Sequence, residues 1–313
     1  MTRYRSIAFL SAGLFLAGCG GANTEKEIVP EQGTLSIQLT DAAVDGVAEV
    51  NLELTGISVK PDGGPPIDVT FDAPLIVNLA ALTEDNTETL FNAQSLPVGA
   101  YNWIRLDVNA ECDTVADSFV VPDSGGMVEL GLRVPSATGL QLGNGFVITA
   151  NQDTGFVIDW DPRLGLVDPQ ANGCFTLKPS LRIIDMAEHG AIAGTVEPSL
   201  ISDPTCTSDP NTEAGNVVYV YEGRGVAPDD IDDLAPEPVT TANVRLDPMS
   251  GNYEYMAAFL SPGSFTAAFT CQGRGDIIPD DENLQINADD DILFSASVNV
   301  DVADGQTTTV DFN

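Results

Sequence analysis

Leu35, Ile37 and Leu39 alternate with polar residues in GTLSIQLTDA, and Val50, Leu52 and Leu54 do the same in AEVNLELTGISVK. A period of two turns one side of each segment to a core and the other to water, so both predict half-buried strands. The second segment changes phase at Thr55-Gly56 before Ile57 and Val59, which predicts a β-bulge there. Further strands are expected over residues 67–71, 75–79, 101–108, 118–121, 127–134, 146–150, 156–160 and 175–184, while 82–94 reads as a short helix or an irregular crossing.

After MAEHG the pattern restarts. GAIAGTVEP, NVVYVYEG, TTANVRLD, NYEYMAAFL, SFTAAFTC, ILFSASVNVDV and TTTVDF supply about seven more strands, close to the content of one sandwich. Two turns echo each other, LPVGAY at 96–101 and LSPGSF at 260–265, each with Pro at the entry, Gly at the exit and an aromatic opening the next strand. The expected fold is all-β: two antiparallel β-sandwich domains, immunoglobulin-like or prealbumin-like, over 33–187 and 190–313. Composition agrees, since Asp and Gly, the residues of turns, far outnumber the helix formers Glu and Lys.

The N-terminus does not join this pattern. Arg3 and Arg5 precede an apolar run too short to span a bilayer, and Leu16-Ala17-Gly18-Cys19 closes it. That tetrapeptide resembles the bacterial lipobox, which implies a signal peptide over 1–18, an acylated Cys19 and a flexible tether over 19–32. Gly20 after the cysteine implies the outer membrane as destination. Loss of Arg3 and Arg5 would take the formal net charge from −35 to −37. A chain so acidic repels nucleic acid and anionic surfaces, leaving envelope proteins and carbohydrate as the partners to consider. The remaining cysteines, Cys112, Cys174, Cys206 and Cys271, are even in number and lack metal-ligand spacing, so export favours disulfides. Three pairings exist; Cys112–Cys174 with Cys206–Cys271 places one bridge in each domain.

In order, GTLSIQLTDAAVDGVAEVNLELTGISV, LPVGAYNWIRLDVNA, LRVPSATGLQL, FVIDWDPRLGLV and CFTLKPSLRIID resemble the blocks of the bacterial domain-of-unknown-function 4382 family, commonly found on lipoproteins. The resemblance covers about residues 33–187 and implies no activity. The second half, with GAIAGTV and SGNYEYMAAFLSPGSFTAAF, is similar to prealbumin-like and carboxypeptidase-regulatory-like sandwiches, and implies a structural or ligand-presenting role.

Candidate chemistry is sparse. The single histidine, His189, lacks a Gly-x-Ser-x-Gly partner, which leaves it as an exposed residue at the domain junction. Asp159 and Asp161 flank Trp160, and strand alternation would point both acids to one face, where they could share a proton or a cation or serve a hydrolase; a structural ion pair or an Asp161-Pro162 turn explains them more simply. Acidic runs lie at 229–233, 280–282 and 289–291. The last two, Asp280, Asp281, Glu282, Asp289, Asp290 and Asp291, are the candidate calcium ligands, whereas the first, between Pro228 and Pro236, is expected to face water. Tyr101 and Trp103, at i, i+2 spacing on one strand, are candidate sugar-stacking residues, with core packing the plainer explanation. The leading expectation is a non-enzymatic outer-membrane binding or structural module. A calcium-dependent carbohydrate- or protein-binding adhesin comes second, and a hydrolase using Asp159 and Asp161 third.

Overall fold

The computed structural model describes residues 31–313 apart from 42–43, 113–116, 133–139, 144, 168–173, 178–179, 210–212, 233, 275 and 277–291. The first half contains β1 (Gln32–Asp41), β2 (Val47–Pro61), β3 (Ile67–Asn78), β4 (Glu88–Pro97), β5 (Gly99–Asn109), β6 (Phe119–Pro122) and β7 (Val128–Leu132). It continues through β8 (Leu140–Leu142), β9 (Phe146–Ile148), β10 (Asp153–Trp160), β11 (Leu166–Val167), β12 (Phe175–Leu177) and β13 (Leu181–Asp185). One sheet has the order β13-β10-β1-β4; the other runs β11-β12-β7-β6-β2-β5-β8, with β3 paired to β2 and β9 to β5. Leu35, Ile37 and Leu39 of β1 and Val50, Leu52, Leu54, Ile57 and Val59 of β2 fill one core, the inward positions the alternation predicts. Each such side chain contributes roughly 1.5–3 kcal/mol relative to exposure.

The bulge in β2 is present. Pairing skips from Leu54 to Gly56 on both flanking strands, leaving Thr55 out of register. Gly56 is required where it stands, because a β-carbon there would lie 2.5 Å from the Val69 carbonyl oxygen. Opposite this bulge, residues 71–74 loop out of the ladder, so the segments expected at 67–71 and 75–79 form one strand, β3. Pro74 sits in that excursion, where its missing N–H costs no ladder bond.

Two expectations need correction. No helix occupies 82–94; after a 3₁₀ turn at Leu79–Ala81, β4 begins at Glu88 and pairs with β1 through two register shifts, with Ala93 at φ 55°. The strand expected at 175–184 is two strands, β12 and β13, in different sheets. Pairing is mostly antiparallel, as expected, with β1–β10 and β12–β7 running parallel.

The second half contains β14 (Gly190–Val196), a one-turn helix α1 (Pro198–Ile201), β15 (Val217–Glu222), β16 (Thr240–Asn243), β17 (Arg245–Leu246), β18 (Tyr253–Leu260), β19 (Gly263–Thr270), β20 (Val298–Val302) and β21 (Thr307–Thr309). Sheets β17-β18-β14-β21 and β16-β15-β19-β20 face each other over a core of Ile192, Tyr255, Leu260, Val218, Phe265 and Phe269, among others. TTANVRLD is thus divided between the two sheets as β16 and β17. A third apolar cluster, Val217, Tyr219, Tyr221 and Ile231, lies on the outer face of β15, and Leu164 of the first half packs against it. Glu31–Asn313 form one compact unit.

Candidate functional site

β10 delivers the Asp159-Trp160-Asp161 segment to the place where the two halves meet. Trp160 is fully buried, as alternation requires, but the flanking acids have separate partners. Asp159 Oδ2 accepts a hydrogen bond from Arg182 Nε at 2.7 Å, across the β10–β13 pairing that sets these two residues opposite each other. Asp161 lies one residue past the strand. Its Oδ1 accepts the N–H groups of Arg163 at 2.9 Å and Leu164 at 3.4 Å, which makes it the cap of the turn that carries Arg163. Its Oδ2 has no hydrogen-bond partner. Burial, with Asp159 beside it, pushes the Asp161 carboxyl up to about 7 against the opposing pull of Arg163.

Arg163 is the hub of the junction. It is 5% exposed, a rare position for arginine, and its two Nη atoms donate to three oxygens. Nη2 donates to Asp45 Oδ2 at 2.6 Å and Asn243 Oδ1 at 3.1 Å, while Nη1 donates to the Gly273 carbonyl at 2.9 Å. Asp45 also accepts the Gly215 N–H at 2.9 Å and lies 3.6 Å from Arg245. Burial opposes the Asp45 charge, but Arg163, Arg245 and Gly215 outweigh it and hold the carboxyl below its ordinary value. Beside this network Tyr219 hydrogen-bonds Asp276, whose other oxygen accepts the Ile231 N–H at 3.0 Å. Burial keeps the Tyr219 phenol protonated far above its usual range, although Arg163 works against it. Nothing in the sequence marked Arg163 or Asp45 as partners; they are 118 residues apart and only tertiary folding joins them.

The cavity beside this network, about 240 Å³, is lined by Asp159, Glu84, Thr241, Asn243, Arg245 and Phe259, among others. Asp161 does not line it. Arg182 reaches across as well, donating from Nη1 to the Phe259 carbonyl at 3.4 Å.

Other candidate residues fall elsewhere. Tyr101 is 2% exposed, stacked on Phe146 at 5.0 Å with its hydroxyl on the Pro97 carbonyl at 2.8 Å, so its ring offers no surface to a sugar. Trp103 does not share its environment, because pairing with β2 skips Asn102 and turns the strand between them; Arg105 covers one face of the indole at 5.6 Å. His189 is half-buried rather than an exposed linker residue, its ring 5.3 Å from that of Phe259. Residues 230–232 of the run expected to face water do not: Asp230 and Asp232 are 5% and 4% exposed, and Ile231 is in the cluster behind β15; Asp233 lies outside the described residues. The Ile231 side chain explains this, since burying it draws its neighbours inward. Cys112 with Cys174 and Cys206 with Cys271 stand at disulfide distance, their α-carbons 6.1 and 5.0 Å apart. Cys19 and the six acids at 280–282 and 289–291 lie outside the described residues. Among the described residues no group of three or more His, Cys, Asp or Glu side chains is placed to hold a metal ion.

No curated protein matches this chain. Among solved structures, the TIE protein of Bacillus anthracis is 13% identical with a TM-score of 0.20; the match covers 90% of this chain and 34% of that one, so the chain spans about a third of its length. The minor pilin GBS52 of Streptococcus agalactiae is 12% identical with a TM-score of 0.19, covering 89% of this chain and 94% of the pilin. A putative adhesin from Bacteroides ovatus is 9% identical with a TM-score of 0.21, covering 96% and 99%. Likenesses at these scores carry no argument about function. Residues 32–179, a little under half of the chain, match the family described as Domain of unknown function (DUF4382).

Proposed function

We propose that the protein is a non-enzymatic binding or structural module of the cell envelope, held at the outer membrane by a lipid on Cys19. The observation that carries this reading is the buried network around Arg163. It joins Asp45 of the first half to Asn243, Gly273 and Gly215 of the second, and so makes one stiff body of two sandwiches. The acids that a hydrolase would need are committed to that architecture: Asp159 to Arg182, and Asp161 to capping the Arg163 turn, away from the cavity. General acid–base work requires a carboxyl within reach of substrate, and Asp161 is 2% exposed.

Two measurements test the reading. Fatty-acid labelling of cells should mark the wild type and not Cys19→Ser; equal label in both overturns the anchor. Chromogenic glycosides and esters should show no turnover with the purified chain. Turnover abolished by Asp159→Asn would replace the module with a hydrolase.

A further inference from the structure

The outer face of β15 is apolar, and the chain that leaves this strand folds back over part of it. Residues 223–232 are fastened there in three places. Val226 N–H donates to Thr266 Oγ1 of β19 at 3.2 Å, and Ile231 N–H donates to Asp276 Oδ1 at 3.0 Å. Between them the Tyr221 hydroxyl holds the Asp229 backbone, donating to its carbonyl and accepting its N–H. Ile231, 2% exposed, completes the cluster with Val217, Tyr219 and Tyr221.

Asp230 has no such fastening. It is 5% exposed, yet its carboxyl accepts from no N–H but its own, and among the described residues no arginine or lysine pairs with it. Buried carboxylates are ordinarily paired or hydrogen-bonded to other residues. The charges around this one share its sign: Asp229 and Asp232 flank it, and Asp276 acts on it from the segment after β19. Glu237 lies beyond Asp232, whose N–H it accepts at 3.1 Å. β15 contributes only the phenols of Tyr219 and Tyr221, which burial keeps protonated. Asp276 accepts from both Tyr219 and Ile231, a role suited to an ionised carboxylate. Where carboxyls share a site one keeps its proton, and Asp230 is the one without donors to hold a charge. Burial first, and then these three acids, push its carboxyl up to about 6.

We infer that residues 223–232 are a proton-held strap over the outer face of β15, closed while Asp230 carries its proton and loosened when it ionises beside Asp276. Ionisation adds a charge next to the residue that holds Ile231, so the repulsion acts at an anchor of the strap itself. Loosening uncovers Ile231 and Tyr221, apolar surface that the closed strap keeps from water. The closed form holds a proton that the open form, with an ordinary aspartate at 3.8, releases. Closure is therefore strongest below about pH 4 and is lost as pH rises through about 6. Such a strap operates with or without a lipid on Cys19.

Amide exchange on the mature chain tests the strap, read at Val226, Asp229 and Ile231 from pH 4 to pH 8 and divided by the chemical exchange rate at each pH. Amides of the β15–β19 ladder in the same half serve as the reference. Relative to them, protection at the three strap amides should fall about fiftyfold from pH 4 to pH 7 and then level off, the span set by 3.8 and about 6. Asp230→Asn should abolish the fall and leave the three amides better protected at pH 7 than in the wild type. Carbon-13 NMR of the unmutated chain needs no variant to fold, and the Asp230 carboxyl should titrate near 6 rather than near 4. Strap amides that follow the reference at every pH, a wild-type fall in Asp230→Asn, or a carboxyl that titrates near 4 overturns the inference.

Discussion

β1 and β15 are both interior strands of four-stranded sheets, and they treat their second faces in opposite ways. β1 sends Leu35, Ile37 and Leu39 to the core, and the remaining positions include hydroxyls satisfied within the same half. Ser36 donates to Asp153 at 2.8 Å, and Thr40 to the Leu82 carbonyl at 3.0 Å. β15 is apolar on both faces: Val218 and Val220 enter the sandwich, while Val217, Tyr219 and Tyr221 point the other way and meet Leu164 of the first half. The first half therefore closes its surface with its own polar groups, and the second leaves an apolar surface for its neighbour to cover. Asp45 and Arg163 both belong to the first half, so it brings its ion pair ready made and offers the second half donors and acceptors.

The largest expected effect comes from breaking that contact. Arg163→Ala leaves the Asp45 carboxylate buried with only Arg245 and an N–H, and removal of one partner of a buried pair costs roughly 3–5 kcal/mol. Urea unfolding should then split into two transitions, the second half melting first. A single unshifted transition would show that the halves do not depend on each other through this residue.

Paired Cys→Ser substitutions come next. Cys206–Cys271 closes 65 residues and Cys112–Cys174 closes 62, and the chain-entropy account gives each about 4 kcal/mol less any strain. Both bridges lie within a half, so each loss should lower the amide-exchange protection of its own half more. Equal losses in both halves for either variant would mean that the asymmetry is wrong.

The third test is one of pH. Asp161 is raised from 3.8 to about 7 when folded, so the folded chain holds a proton that the unfolded chain has released. Its contribution is complete below about pH 4 and is lost as pH climbs toward 7, by about 1.4 kcal/mol per unit at most. Asp161→Asn keeps the capping oxygen and removes the charge. The variant should therefore gain stability over wild type across that window, reach a plateau above it, and show the gain in the transition of the joined halves. A constant difference at all pH values would assign the effect to something other than titration.

Tyr101→Phe should have the smallest effect, about 1 kcal/mol for one hydrogen bond to Pro97, confined to the first half. Lost amide-exchange protection in the second half would reveal coupling that the contacts do not show.

Local chemistry was readable where one strand's own pattern governs. The phase change at Thr55-Gly56, the Asp161-Pro162 turn and the strands of the second half were visible because each rests on neighbouring residues. β4 was hidden because its two register shifts and Ala93 at positive φ destroy the alternation that would announce it. The same holds for Tyr101 and Trp103, where the skipped Asn102 undoes an i, i+2 argument. Ile231 was overlooked because one apolar residue among four aspartates carries no period. Asp45 had no local signature, and the reach of Arg163 into the second half had none either; both arise from β10 ending where Asn243, Gly273 and Gly215 arrive.

The parallel pairing of β1 with β10 has a mechanical consequence. Thr34 to Asp41 stand in unbroken register with Asp153 to Trp160, and β4 borders β1 on its other edge. Tension applied at the N-terminal end and directed along β1 pulls the strand lengthwise between two neighbours, so its ladder bonds share the load and yield together instead of opening one by one. A chain held by that end would meet drag at a ladder loaded in shear, and the force would travel along β10 toward Asp161 and Arg163 before it reached the second sandwich.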